Sequence, residues 1–333
     1  MINETNLAPD ALGPTLCIGE ILAEIVATTA GEGFLDPLPL VGPYPSGAPA
    51  IFVDQAGRIG GAAAMVGSVG NDDFGRANIA RLKRDGVDVS GIRTDPVLPT
   101  GTAFVRYRPD GARDFVFNMW TSAAGALAWD DRVEAVCARA GHLHVMGTLL
   151  GHPSIWDMTE RAAAMITARG GTISLDPNMR KELRGDGDTG RRFAQMVGMA
   201  DLLLPSGDEL YLAADLPVEA GEEAALERLF QSGVKEVAIK RGADGATCAL
   251  PDGSRTHAPA FAVTEMDPTG AGDCFGGAYV ACRRLGMTPS QALTYANAAG
   301  ARNVTFRGPM EGAGTRDELD QFISETKRLT RCP

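Results

Sequence analysis

A chain of 333 residues with 44% hydrophobic side chains can bury one large α/β core, with or without a small appendage. Its formal net charge of -11 and pI near 4.9 argue against nucleic acid and anionic membranes as partners. No stretch approaches the roughly 20 apolar residues of a membrane span. The six cysteines are scattered without a CxxC spacing, which reads as reduced thiols in a cytoplasmic protein rather than a disulfide framework or a zinc site.

Residues 1–14 are polar and Pro-containing, lack a signal-peptide pattern, and read as an N-terminal extension to a single domain over 15–333. From there, short apolar runs alternate with helical stretches. Thr15–Ile18, Ala63–Val69, His142–Met146, Thr172–Leu175, Leu202–Leu204 and Glu236–Ile239 read as buried strands. Phe74–Asp85, Pro153–Ala168, Arg191–Met199 and Ala220–Gln231 read as the helices between them. This alternation predicts a doubly wound, mainly parallel sheet with helices on both faces and ligands at the carboxyl ends of the strands. Two segments break the rhythm. Residues 21–46 are Gly- and Pro-rich, and 101–118 reads as a β-hairpin around Pro109-Asp110-Gly111. Together they predict a small β-sheet lid. After Asp273 the chain is predicted helical almost to its end, as Cys274–Leu285, Pro289–Arg302 and Arg316–Leu329.

The chemistry concentrates in Asp267-Pro268-Thr269-Gly270-Ala271-Gly272-Asp273. Small residues at a helix mouth expose unpaired amides at the positive end of the helix dipole, which attract phosphate. A carboxylate beside a bound anion needs a reason, and general-base chemistry supplies one: Asp273 takes a proton from a hydroxyl while the amides hold a phosphoryl group. Gly270, Gly272 and Gly276 also fit part of a dinucleotide fingerprint, but that motif requires a following strand, and a second helix follows here. No Walker-type Gly-Lys-Ser or Gly-Lys-Thr occurs.

With Cys274-Phe275-Gly276-Gly277-Ala278, this segment resembles the C-terminal signature of the ribokinase-like (PfkB) carbohydrate kinases. Further motifs in family order are Ser46–Ala50, Gly70–Gly75, Asp176-Pro177-Asn178-Met179-Arg180, Glu209, Lys240–Gly245 and Ala296–Ala299. The resemblance runs from Gly19 to about Gly312. It implies an ATP-dependent, magnesium-requiring kinase acting on a primary hydroxyl of a small sugar, with lids that pair in a homodimer. Asp273 would be the base, and Gly270, Ala271 and Gly272 the phosphoryl cradle. Ser206 and Glu209 would organise magnesium, Glu209 through water. Lys240, Gly242 and Gly245 would flank the nucleotide phosphates and ribose, and Asn297 the adenine. Asp267 and Thr269, with Gly308, would hold a monovalent cation such as potassium.

On the sugar side, Glu24 stands where the family has Asp, Ser46 where it has Gly, Ile51 where it has Asn, and Ser206 where its metal motif has Asn. Gly47, Asp54 and Arg180 complete the expected substrate set. Asp54 lies one turn beyond Ile51 and offers a polar contact, or is a solvated helix charge. Asp72 is expected to cap a helix, His144 to be a core residue, and Cys274 to pack against the sheet. Tagatose is the leading substrate on this reading. Fructose, 2-keto-3-deoxygluconate and a nucleoside remain alternatives, with Arg106, Arg108 or Arg180 as the cation that a keto acid would need. A silent sugar sensor and a nicotinamide enzyme are the rivals from other classes.

Overall fold

The computed structural model describes residues 6–31, 33–108, 113–178 and 187–329; Arg180 and the hairpin tip Pro109-Asp110-Gly111 lie outside them. Thirteen strands form among the described residues: β1 (Thr15–Ile18), β2 (Leu22–Ala27), β3 (Leu40–Ser46), β4 (Ala63–Gly70), β5 (Val87–Asp95), β6 (Gly101–Tyr107), β7 (Arg113–Asn118), β8 (His142–Met146), β9 (Thr172–Asp176), β10 (Leu202–Leu203), β11 (Glu236–Lys240), β12 (Ala246–Ala249) and β13 (Arg255–Ala258). The helices are α1 (Ala48–Arg58), α2 (Asp73–Arg84), α3 (Asp131–Cys137), α4 (Pro153–Thr167), α5 (Thr189–Met199), α6 (Glu209–Ala214), α7 (Glu222–Gln231), α8 (Ala271–Arg284), α9 (Pro289–Asn303) and α10 (Arg316–Glu325).

The main sheet has the order β13-β12-β11-β10-β9-β8-β1-β4-β5, parallel from β5 to β11, with β12 and β13 antiparallel at one edge. Strand β4 is buried along its whole length, as a strand covered on both faces must be. The helices fall into two packed groups: α1 with α2 and α8, α8 with α9, and α9 with α10; and α3 with α4, α5 with α6, α6 with α7. The chain runs outward from β1 through β4 to β5, then restarts on the other side at β8. The resulting crevice beyond the ends of β1 and β8 is the switch point at which such sheets bind ligands.

The second sheet, β3-β2-β6-β7, is the lid expected from residues 21–46 and 101–118. It leaves the main sheet after β1 and returns into α1, and leaves again after β5. Residues 6–14 of the N-terminal extension pack on the domain: Leu7 is buried and the buried Arg284 donates to the carbonyls of Ala8, Pro9 and Gly13. One expectation shifts. The last helix stops at Glu325, and Arg328 returns as a bridge to Phe261.

Local signals explain most boundaries. Asp72 caps α2 by accepting from the Gly75 amide, as expected, and it also accepts from the amide and hydroxyl of Thr100. Reciprocal capping boxes start α9 at Thr288 and Gln291, and α10 at Thr315 and Glu318. Helix α8 approaches α1 closely because a Cβ at Gly277 would overlap the Phe52 carbonyl. His144 and Cys274 are core residues, His144 bonded to the Ser174 hydroxyl and stacked on Phe52.

Candidate active site

Helix α8 begins at the phosphate-attracting loop as the sequence predicts. Gly270 is its N-cap in the left-handed region at φ 77, and a Cβ there would overlap the Pro309 carbonyl. Only glycine meets both conditions without strain. The N-cap offers no side chain to the first amides of the helix, and of these the Ala271 amide turns back to the Pro268 carbonyl at 3.4 Å. Asp273 stands in this first turn, buried.

Two cavities meet at this turn. One is lined by Glu20, Glu24, Ser46, Gly47, Ile51, Thr148, Thr269 and Asp273, and roofed by Ala103, Phe115 and Phe117 of the lid. The other is a larger, open groove whose wall includes Ser206, Lys240, Gly242, Gly245, Ala271, Gly272 and Asn297. Asp273 therefore faces the small cavity, while Ala271 and Gly272 face the large one. The carboxyl groups of the first suit a hydroxyl-rich acceptor, and the wider second suits a nucleotide.

On the small-cavity side, Ser46 donates to Glu24 at 3.0 Å, and Glu20 accepts the Ala48 amide at 3.2 Å, holding the start of α1. Ile51 is both buried and part of the cavity wall, so one side of the cavity is apolar where an amide was expected. Asp54 is a correction. It is neither a substrate ligand nor a solvated charge, but is fully buried against Arg81, with its Oδ2 3.1 Å from Nη2. The helical turn carries it away from the cavity toward α2, where Arg81 also bonds Asp85 and the Met310 carbonyl. Burial pushes the Asp54 carboxyl up to about 7 against the pull of Arg81, and the neighbouring Asp85 adds to the rise.

On the groove side, Glu209 opens α6 and accepts from both the amide and hydroxyl of Ser206, at 2.8 and 2.7 Å. Ser206 thus still organises the acid. Lys240 crosses to Asp176, with Nζ 2.6 Å from Oδ2. The Asn297 amide donates to the carbonyls of Ala258 and Pro259, tying α9 to the end of β13 behind the groove.

Asp267, Thr269 and Gly308 do converge, through hydrogen bonds: Asp267 accepts from the amides of Thr269 and Gly308, each at 3.0 Å. The Thr269 carbonyl accepts from Asn303. The lid reaches the same loop, because Tyr107 donates to Asp267 at 2.8 Å and Arg113 to the Thr269 hydroxyl at 3.1 Å.

The pfkB family carbohydrate kinase model matches residues 15–316. The chain belongs to this family. A fructokinase from Zea mays is 31% identical over 320 residues, covering 92% of this chain and 96% of that protein. A 2-dehydro-3-deoxygluconokinase from Thermoproteus tenax is also 31% identical, over 94% of this chain and 95% of its own. Among solved structures, an E. coli protein provisionally described as a ribokinase II, in complex with ATP and magnesium, superposes with a TM-score of 0.87 at 42% identity, covering 94% of this chain and 99% of the other. The protein is a sugar kinase with a ribokinase-like fold.

In this pfkB kinase several site residues went unassigned in the sequence. Glu20 and Thr148 follow β1 and β8 at the switch point, and only the strand order shows that those ends are adjacent. Phe115 and Phe117 come from a hairpin far off in sequence. Asn178, held at φ 33, places its amide 3.4 Å from Asp273 Oδ1; the motif was visible but not this contact. Arg106 and Arg108 both pair with Asp114 on the lid and do not line the small cavity.

Proposed function

We propose that this kinase phosphorylates a primary hydroxyl of a neutral ketohexose, with fructose or tagatose as the acceptor and Mg·ATP as the donor. What supports this is the division of one helix turn between two cavities, Asp273 on the sugar side and Gly272 on the nucleotide side. The sugar oxygen attacks the γ-phosphorus, the bond from that phosphorus to the β–γ bridging oxygen breaks, ADP leaves, and the hydroxyl proton passes to Asp273. The amides at the start of α8 stabilise charge on the transferred group, and the lid excludes water as a competing acceptor.

The acceptor's charge is read from its surroundings. Glu20, Glu24 and Asp273 line the small cavity, so three carboxyl groups oppose an anionic substrate and suit one rich in hydroxyls. A sugar acid is the second reading, favoured by Arg113 at the cavity rim, which offers a cation beside Thr269.

Magnesium suits the oxygen donors of the groove. Among the described residues no group of three or more His, Cys, Asp or Glu forms a complete cage, and magnesium is commonly held by one or two carboxylates with phosphate and water. Glu209 is the acid we assign to it, and neutralising phosphate charge is the chemistry it supplies. A monovalent cation at Asp267 and Thr269 would compete with the hydrogen bonds above, and a potassium titration of the rate tests it. Pairing of lids in a homodimer is also part of this reading: Leu40 and Val116 are exposed on the small sheet, and light scattering tests it.

A coupled ADP-release screen over ketohexoses, aldopentoses, sugar acids and nucleosides tests the assignment. Asp273→Asn is expected to lower turnover by about 10²–10⁴-fold. Turnover confined to sugar acids would overturn the neutral-sugar reading, and an unimpaired Asp273→Asn would overturn the base.

A further inference from the structure

Lys240 and Asp176 sit at the ends of β11 and β9, which are separated by β10. Two strand spacings are about 9.6 Å, within the combined reach of the two side chains. Beyond the two residues of β10 the chain stays between β9 and β11, the Leu204 amide donating to the Leu175 carbonyl and the Lys240 amide to the Pro205 carbonyl, and the two side chains meet across it. Lys240 Nζ meets Asp176 Oδ2 at 2.6 Å, and a Cβ built on Gly272 would lie 3.7 Å from that same nitrogen. The ammonium is therefore beside the first-turn amides of α8.

The two ends of the pair differ. The Asp176 side chain is 1% exposed, and its Oδ1 is buried with no hydrogen-bond partner, whereas Lys240 opens onto the nucleotide groove. A buried ion pair by itself is weak evidence for a role in stability. Its placement here is at a site built to receive phosphate.

Resting on the kinase reading above, we infer that Lys240 is a catalytic cation for the transferred phosphoryl group, and that Asp176 is the positioning residue that aims it at the amide cradle. The charges around the pair agree. Glu209 from α6, Asp273 from α8 and Asp176 from β9 face Lys240, and His144 from β8 is kept neutral by burial, with Lys240 adding to the effect. Burial alone would depress the ammonium, but the three carboxylates outweigh it and hold it above the usual lysine range. In the free enzyme Asp176 compensates that charge. When phosphate arrives, the lysine can turn a few ångströms toward it while Asp176 stays behind.

This arrangement makes a prediction of opposite signs. Lys240→Met removes the cation, so Mg·ATP binding measured by calorimetry should weaken at least tenfold, and more than ADP binding does. Asp176→Asn leaves the cation uncompensated, so Mg·ATP should bind several-fold tighter while kcat falls about tenfold. A purely structural pair would weaken ATP binding in both variants. The double variant Asp176→Asn/Lys240→Met removes both charges and should bind ATP as Lys240→Met does, which provides a test if Asp176→Asn fails to fold. Changes of the same sign in the two single variants, or Lys240→Met within twofold of wild type, would overturn the inference. Binding is read without turnover, so failure of the sugar screen would refute the kinase reading and leave this test intact.

Discussion

Gly272 separates the function of the phosphoryl cradle from its stability. It is the second residue of α8, its backbone is ordinary helix, and the nearest atom to an added Cβ is the Lys240 Nζ at 3.7 Å. A methyl group therefore fits the folded protein. Replacing glycine by alanine within a helix stabilises it by up to about 0.5–1 kcal/mol. At about 2.1 cal/mol/K per residue, a chain of 333 residues has an unfolding entropy near 0.7 kcal/mol/K, so Tm should rise by about 1 °C. The same methyl projects into the space between the amides and the lysine where a phosphoryl oxygen must come within about 3 Å of its donors. Losing one such interaction costs about 2.7–4 kcal/mol, or roughly 10²–10³ in kcat. Scanning calorimetry and a coupled ADP-release assay on one preparation test both halves. A Gly272→Ala enzyme with unchanged kcat would refute the placement of the phosphoryl group. A clear fall in Tm would refute the reading of an open, ordinary helical position.

Gly270→Ala should behave differently, losing Tm as well as activity, because the left-handed φ alone costs about 1–2 kcal/mol and the methyl overlaps the Pro309 carbonyl; an unchanged melting curve would contradict the geometry. Tyr107→Phe removes a lid-to-loop hydrogen bond of about 1 kcal/mol, so the sugar KM should rise roughly fivefold with Tm nearly constant. An unaltered KM would mean that this bond does not help hold the lid closed. Asp54→Asn tests the raised carboxyl. With the folded pKa raised to about 7, the native state retains a proton that the unfolded chain releases near 4, so this group's stabilisation is present below pH 4 and is lost as pH rises to about 7. The Tm of the variant relative to wild type should therefore climb between pH 5 and pH 8, and a flat difference would show that Asp54 is already ionised at pH 5.

The alternation of apolar runs and helical stretches was enough to predict a parallel sheet, because period and turn residues are local properties. The Gly270–Asp273 segment was legible for the same reason: a helix start, its bare amides and the acid within it are all contained in a few residues. The lid was readable from its break in rhythm. Strand β5 escaped notice because Ser90 and Gly91 interrupt its apolar pattern, and its pairing with β4 forms it. Ile51 and Asp54 show how far local spacing reaches. Three residues apart on one helix, Ile51 stands where the family has Asn and Asp54 was offered as a replacement contact or a solvated charge, yet Ile51 lines the sugar cavity and Asp54 is bound to Arg81 in the core.

Sequence alone thus determined the reaction class, since the atoms that hold phosphate and take the proton lie within one helical turn. Tertiary structure decided which groups surround that turn. Glu20, Thr148, Phe115 and Lys240 come from separate strands and loops, and their convergence depends on strand order. Contacts between such distant segments depend on how the layers pack, which no window along the chain contains.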